Sequence, residues 1–118
     1  MPNFDELIAR AAALGYPIAE NEFAVTKQNP APKLPFICYQ RTEQYTGTDQ
    51  TIRIKTTDGS FELYTDRKPS KADKEAIAAF EEAVFYDVEY TKSQNYIRDE
   101  NMTQTAFDFL IVEKLRKG

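Results

Sequence analysis

Apolar and polar positions recur at helical spacing in two stretches of the chain. At the start of the first, Asn3 can cap a helix and Glu6 follows three residues later, as in a capping box. At the start of the second, Ser70 can cap a helix whose first turn contains Asp73, where a negative charge suits the helix dipole. The patterns predict two helices, each with an apolar face against a sheet, over residues 4–14 and about 70–84.

Elsewhere the apolar positions alternate with a period of two, which is typical of β-strands. Predicted strands cover residues 22–27, 36–43, 51–57, 61–65, 87–92, 96–98 and 102–112. Between and after them we predict a polar loop at 44–50, turns at 66–69 and 93–95, and a loose tail at 113–118. The pair Asp58-Gly59 is either a tight hairpin turn or a bulge inside one long strand, since glycine serves both.

The order of these elements predicts the fold class. Strands that cluster between and after two helices, joined by short turns, favour a mainly antiparallel sheet with both helices on one face. We therefore expect one α+β domain over residues 1–118 with a single core. Apolar residues on both faces near the end of the 102–112 strand favour a central strand, or a face that a partner chain covers.

Composition narrows the range of functions. The 118-residue chain has no histidine and one cysteine, Cys38, which removes the commonest metal ligand and any Cys–His nucleophile pair. Its net charge is −4, from 19 acidic and 15 basic residues, whereas a protein that grips DNA is normally basic. We therefore expect no catalysis, no cofactor and no metal site; an enzyme that works through carboxylates is the weakest alternative.

The hydrophobic pattern of the sequence predicts neither a membrane span nor a secretory signal. No apolar run reaches the length that a membrane span needs, and the first ten residues lack the apolar core of a secretory signal. We expect a protein made in the cytoplasm of its host, with no membrane partner.

Aromatic residues point instead to contacts between proteins. Tyrosine combines a large ring with a polar tip, which suits subunit contacts, although any one tyrosine beside a strand is more often an ordinary sheet residue. Tyr45 lies in the polar 44–50 loop, so it is the strongest exception. Exposed strand edges also invite pairing with another chain. The candidate interface residues are Tyr39, Arg41, Gln44, Tyr45, Thr46, Thr48, Asp49, Asp66, Arg67 and Lys68.

Three stretches, in order, resemble a family of small proteins from the head-to-tail joining region of siphophages. They are Leu34-Pro35-Phe36-Ile37-Cys38-Tyr39, then 62–68 before a charged helix, then 96–102 leading into the aromatic strand 107–111. The resemblance covers residues 34–111. The chain departs from the family pattern at Asp58-Gly59, where one continuous strand is expected, and at Thr103 and Thr105, where bulkier residues are expected.

The resemblance implies a function. Such proteins are tail terminators or tail-completion proteins of the bacteriophage neck, with an α+β fold, no cofactor and no catalysis. It implies a virion structural protein that forms a hexameric ring of its own copies, caps the tail tube built of the major tail protein, and docks on a head-closure or connector protein. DNA would at most pass non-specifically through the lumen, where an acidic surface lets it slide.

Two other interpretations stay open at this stage. Within the same class, the chain could be a head-closure protein or a tail-assembly chaperone. From a different class, a small acidic binding module such as an immunity protein would act as a monomer bound to one basic partner.

Overall fold

The computed structural model describes residues 2–23, 32–47 and 52–116; for Ile52 and Arg116 it describes the backbone. The described residues form one α+β domain with a five-stranded, mostly antiparallel sheet and two helices, which confirms the predicted fold class. In chain order the elements are α1 (Phe4–Ala12), β1 (Ile18–Glu20), β2 (Phe36–Thr46), β3 (Ile52–Asp66), α2 (Lys71–Phe85), β4 (Thr91–Ile97) and β5 (Met102–Arg116).

The strands lie in the order β1-β2-β3-β5-β4. The short β1 runs parallel to β2, and the other three pairs are antiparallel. β3 is the central strand, and it pairs along its whole length with β5. The connection from β3 through α2 to β4 places β4 at one edge, while β1 covers only the first part of β2 at the other.

Both helices pack on one face of the sheet around Phe61, which is fully buried in the middle of β3. Its ring lies 5.6 Å from the ring of Phe4 in α1 and 6.0 Å from the ring of Phe80 in α2. Aromatic rings at these separations add favourable edge and offset contacts to the burial of apolar area. The rest of the core cluster comprises Leu7, Ala11, Ile37, Leu63, Ile77, Val84, Phe85, Val88, Phe107, Phe109 and Ile111.

The helix starts are confirmed. Asn3 Oδ1 accepts a hydrogen bond from the Glu6 backbone N–H at 2.9 Å, and Ser70 and Asp73 form a reciprocal capping box. α1 ends two residues before the predicted end, and the chain then turns through Gly15, whose φ of 87° suits a residue without Cβ.

At Asp58-Gly59 the structure contains neither a hairpin turn nor a bulge. β3 runs unbroken from Ile52 to Asp66, and both residues keep a one-to-one register with β2 and with β5. Gly59 is required by packing, because a Cβ at this position would overlap the rings of Phe4 and Phe109. The continuous strand that the family resemblance implies is therefore present.

Several strand predictions are wrong. The first strand is Ile18–Glu20, and Glu22 and Phe23, the described part of the predicted 22–27 strand, lie outside any strand. The predicted strand at 87–92 begins only at Thr91, and the predicted turn Ser93-Gln94-Asn95 is the middle of β4. A polar strand of this kind is stable at a sheet edge, where both faces of its side chains meet water.

Two strands extend further than predicted. β2 continues to Thr46, so Gln44, Tyr45 and Thr46 are strand residues; positions 48–51 lie outside the described residues. β5 continues to Arg116, so a loose tail over 113–118 is wrong for its first four residues, which pair with β3. These extensions make the sheet longer than the helices that cover it.

Candidate functional site

The extended ends of three strands form an arm, which we define as residues 42–46 of β2, 52–58 of β3 and 110–116 of β5. These segments pair side by side in continuous register. A 15-residue strand such as β3 spans roughly 50 Å, so its far end lies well away from the helices that cover Phe61. Ile111 belongs to the core cluster, whereas the exposed fractions of Tyr45, Leu110 and Val112 are 50%, 52% and 53%.

The outer edge of β2 carries unpaired backbone groups in the arm. At the core end, the Ile37 N–H donates to Pro17, and the Tyr39 carbonyl accepts from Asn21, so odd-numbered residues of β2 direct their backbone groups outward. Because successive residues of a strand point these groups to opposite sides, Glu43 and Tyr45 also present theirs outward. β1 ends opposite Tyr39, and no described strand covers the edge beyond it.

The outer edge of β5 carries a second such row. By the same alternation, odd residues of β3 bond to odd residues of β5, which leaves the even residues of β5 facing β4. β4 begins at Thr91, opposite Asp108. The backbone groups of Leu110, Val112 and Lys114 therefore face outward, and no described strand pairs with them.

Side chains on the helix-side face of the arm are polar and interlinked. The Tyr45 hydroxyl donates to a Glu43 carboxylate oxygen at 2.9 Å, and Lys55 lies 3.6 Å from the same carboxylate. The hydrogen bond from Tyr45, followed by the charge of Lys55, lowers the pKa of Glu43. On the opposite face Leu110 and Val112 stand side by side along β5, so the two faces differ in polarity.

A second surface feature lies at the other end of the sheet, on the face away from the helices. A cavity of about 460 Å³ is lined in part by Phe23, Phe36, Tyr64 and Met102. The ring of Phe36 stacks on that of Tyr64 at 4.9 Å and meets Phe23 edge-on at 5.4 Å. The hydroxyl of Tyr64 donates to Glu62 at 2.7 Å.

Cys38 also lines this cavity, and it is buried. Burial, reinforced by the charges of Glu62 and Glu22, raises the pKa of its thiol to about 11. Burial likewise raises the pKa of Tyr64, with a further contribution from its hydrogen bond to Glu62. Both groups are thus neutral at pH 7, and the thiol has little of the thiolate character that a nucleophile needs.

The chain matches no protein-family model, and no curated protein matches it. Within residues 2–23, 32–47 and 52–116, no group of three or more Cys, Asp or Glu side chains is arranged to hold a metal ion. The helices α1 and α2 are each too short to cross a membrane, and no other helix is present in the described part of the chain.

The predicted interface residues fall into separate groups. Tyr39 is half-buried against Phe4 and Phe61, and the Arg41 guanidinium donates to the Asp5 carboxylate at 3.2 Å, so both residues contact α1. Gln44, Tyr45 and Thr46 lie exposed in the arm, whereas Asp66, Arg67 and Lys68 lie at the opposite end of β3. Thr46 pairs with Ile54, 12 residues from Asp66, which is roughly 40 Å along a strand. Thr48 and Asp49 lie outside the described residues.

Sequence reasoning missed the free edge of β5. The signal available was the run Leu110-Ile111-Val112, which places apolar side chains on both faces of one strand. This pattern favoured either a central strand or a face covered by a partner. In the structure β5 is internal beside β4 up to Asp108 and is an edge strand beyond it.

Proposed function

We propose that the chain is a structural assembly subunit of the phage neck, a ring-forming tail terminator that caps the tail tube and joins it to the head connector. The observation that carries the proposal is the arm, which presents an unpaired strand edge on each side within the described residues. Such edges are a hazard in an isolated protein and a means of assembly in one that joins other chains.

A closed ring of identical subunits needs two different surfaces on each copy, because each contact is head-to-tail. The β2 edge with Tyr45 is one candidate surface, and the exposed 66–68 segment, roughly 40 Å away, is another. Surfaces at opposite ends of the molecule suit a subunit that meets a neighbour on each side. Self-copies, the major tail protein and a head-closure or connector protein are the proposed partners.

The chemistry of the described residues agrees with this role. The thiol of Cys38 is buried with a raised pKa, and Tyr64, which lines the same cavity, is held protonated. The net charge of −4 suits a lumen through which DNA passes without sticking. The ordered resemblance over residues 34–111 supports the same assignment.

The test is complementation of a phage that lacks this gene. The variant Glu43→Pro removes one outward-facing N–H of β2 and leaves its hydrogen bonds to β3, since proline is tolerated at edge positions of this kind. The matched control is Glu43→Ala, which removes the same carboxylate and keeps the N–H. We expect Glu43→Pro to give separate heads and tails in electron micrographs, and Glu43→Ala to give joined particles.

Other outcomes would reject the proposal. Infectious particles in normal yield without any copy of the chain would exclude a role in head-to-tail joining. Absence of the protein from purified complete virions would favour a tail-assembly chaperone. Tight binding of a single basic protein by the monomer, outside any particle, would favour the immunity-protein class.

A further inference from the structure

We propose that the free edge of β5 pairs with the same edge of a second copy, antiparallel, with a two-fold axis at Val112. The inference rests on the strand geometry and charges of β5 and stands apart from the phage role. Residues 109–116 form the part of β5 that lies beyond β4 in the described chain. An antiparallel partner places the helix-covered core of each copy at opposite ends, so the two cores do not collide.

Charge and spacing select the register. A two-fold axis perpendicular to the sheet can pass through residue 111, 112, 113 or 114. An axis at Glu113 or Lys114 places two like charges directly opposite each other, which destabilises a pair. An axis at Ile111 directs Lys114 of the second copy to Asp108, whose edge is already occupied by Thr91, so only residues 110 and 112 can pair. An axis at Val112 directs Arg116 to that position instead, so residues 110, 112 and 114 can all pair.

The remaining register, centred on Val112, pairs three of the four outward-facing residues of β5 beyond β4, and the pairing ends before Arg116, which would meet Thr91. Val112 lies opposite Val112 of the second copy, and Leu110 lies opposite Lys114 in both directions. Because the backbone groups of even-numbered β5 residues face outward, each of these three pairs exchanges two backbone hydrogen bonds, about six in total. The half-exposed side chains of Val112 and Leu110 lose water at the same time.

A hollow beside Thr91, the first residue of β4, would hold the Lys114 side chain of the second copy in this register. The hollow has a volume of about 410 Å³, and its walls include Asp58, Glu89, Asp108 and Leu110. Lys114 of the second copy would lie opposite Leu110 and diagonal to Asp108, within reach of a long side chain. Three carboxylates would thus meet one ammonium group at each end of the paired strands, which is charge complementarity between copies of one chain.

The pair and the ring use β5 differently. A pair with a two-fold axis has two identical ends, whereas a ring that joins a tail to a head has two different faces. If both proposals hold, the protein is a two-fold dimer before assembly, and the free edge of β5 is released when the subunit enters the ring. Experiments on purified protein test the pair alone, and complementation tests the phage role alone.

Cysteine cross-linking tests the register. In Val112→Cys the two new thiols lie directly opposite, with Cα atoms about 5.5 Å apart, a separation that a disulfide spans. Leu110→Cys is the matched control, because Leu110 is equally exposed, at 52% against 53%. Its two copies would lie four residues apart, about 13 Å along the strand, which is too far for a disulfide.

On mild oxidation we expect Val112→Cys to give a covalent dimer and Leu110→Cys to remain a single chain. A mixture of Leu110→Cys and Lys114→Cys should form a mixed dimer that neither protein forms alone. Equal linking of Val112→Cys and Leu110→Cys, or linking of neither, would overturn the register.

Native mass tests the pair itself without new thiols. Wild-type protein should show twice the chain mass of 13.6 kDa, and Val112→Lys, which places two ammonium groups at the axis, should show it once. Thr42→Lys, at an exposed position near the opposite edge, should keep the doubled mass, and circular dichroism should show that all three are folded. A single-chain mass for concentrated wild-type protein would overturn the proposal.

Discussion

The ring of Phe4 in α1 occupies the space that a Cβ on Gly59 of β3 would need. Two ring atoms of Phe109 would also lie 2.7 and 2.8 Å from that Cβ position. The helix is thereby seated directly on the backbone of the central strand. The role of Gly59 is therefore steric.

We expect Gly59→Ala to lower the free energy of unfolding by about 1–3 kcal/mol, because the added methyl group overpacks the contact with Phe4 and Phe109. Chemical denaturation measures the change. The neighbouring variant Ser60→Ala, on the opposite face of β3, should stay within about 0.5 kcal/mol of wild type. Combining Gly59→Ala with Phe4→Leu should cost less than the sum of the two single changes, and full additivity would contradict this explanation.

Two buried threonines should respond in opposite directions to replacement by valine. The Thr65 hydroxyl is fully buried and has no hydrogen-bond partner among the described residues, whereas the Thr103 hydroxyl donates to the Arg67 carbonyl at 3.0 Å. Thr65→Val should raise the free energy of unfolding by up to about 1 kcal/mol, since it removes an unsatisfied polar group. Thr103→Val should lower it by about 1 kcal/mol. Denaturant midpoints compare the two, and a loss of stability in Thr65→Val would mean that its hydroxyl has a partner.

Arg10 joins α1 to the end of α2, and this contact predicts a pH dependence. Its guanidinium donates two hydrogen bonds to the Asp87 carboxylate, at 2.8 and 3.2 Å, and one to the Val84 carbonyl at 3.0 Å. The hydrogen bond from Arg10, with its positive charge, holds the pKa of Asp87 below its ordinary value of 3.8. A depressed pKa contributes stability above the unfolded value, and that stability is lost as the pH falls through the folded pKa.

We therefore expect Asp87→Asn to be less stable than wild type near pH 7 and the difference to shrink as the pH falls below about 4. Unfolding curves recorded from pH 7 to pH 3 measure the difference. Asp99→Asn, in the exposed turn after β4, is the control and should follow wild type throughout. A difference that stays constant with pH would show that the carboxylate charge is not what matters.

The thiol of Cys38 should be unreactive in the folded protein. It is buried, and its pKa is raised to about 11, chiefly by burial. A thiol reagent at pH 7.5 should modify it no faster than the protein unfolds, and immediately in guanidinium chloride. Rapid modification of the native protein would mean that the cavity lined by Phe36 and Tyr64 opens more readily than its packing indicates.

Local signals in the sequence predicted the helices and most of the sheet. Asn3 and Ser70 act on backbone groups three residues away, so their capping roles can be recognised without the fold. β1, which pairs in parallel with β2, was not predicted because its three residues are too few to show an alternating pattern. The polar run 93–95 resembles a turn in isolation, and only its position at the sheet edge makes it a strand.

Non-local packing determined what could not be predicted. Gly59 is explained by Phe4 and Phe109, which are 55 and 50 positions away in the sequence. The exposure of Tyr45 followed from its polar neighbours, so that part of the candidate surface was predicted. The length of the free β5 edge depends on where β4 begins. The sequence pattern predicted a start at residue 87, four residues before the observed start at Thr91.

β3 runs unbroken from beneath the helices into the arm, so we expect the backbone hydrogen bonds in its two halves to open at different rates. Backbone amides near Phe61 are covered by both helices, so their exchange with solvent deuterium requires global unfolding. Those near Lys55 are protected by neighbouring strands alone, so the sheet can unzip from its far end while the core stays closed. Opening of the arm therefore does not require the core to unfold.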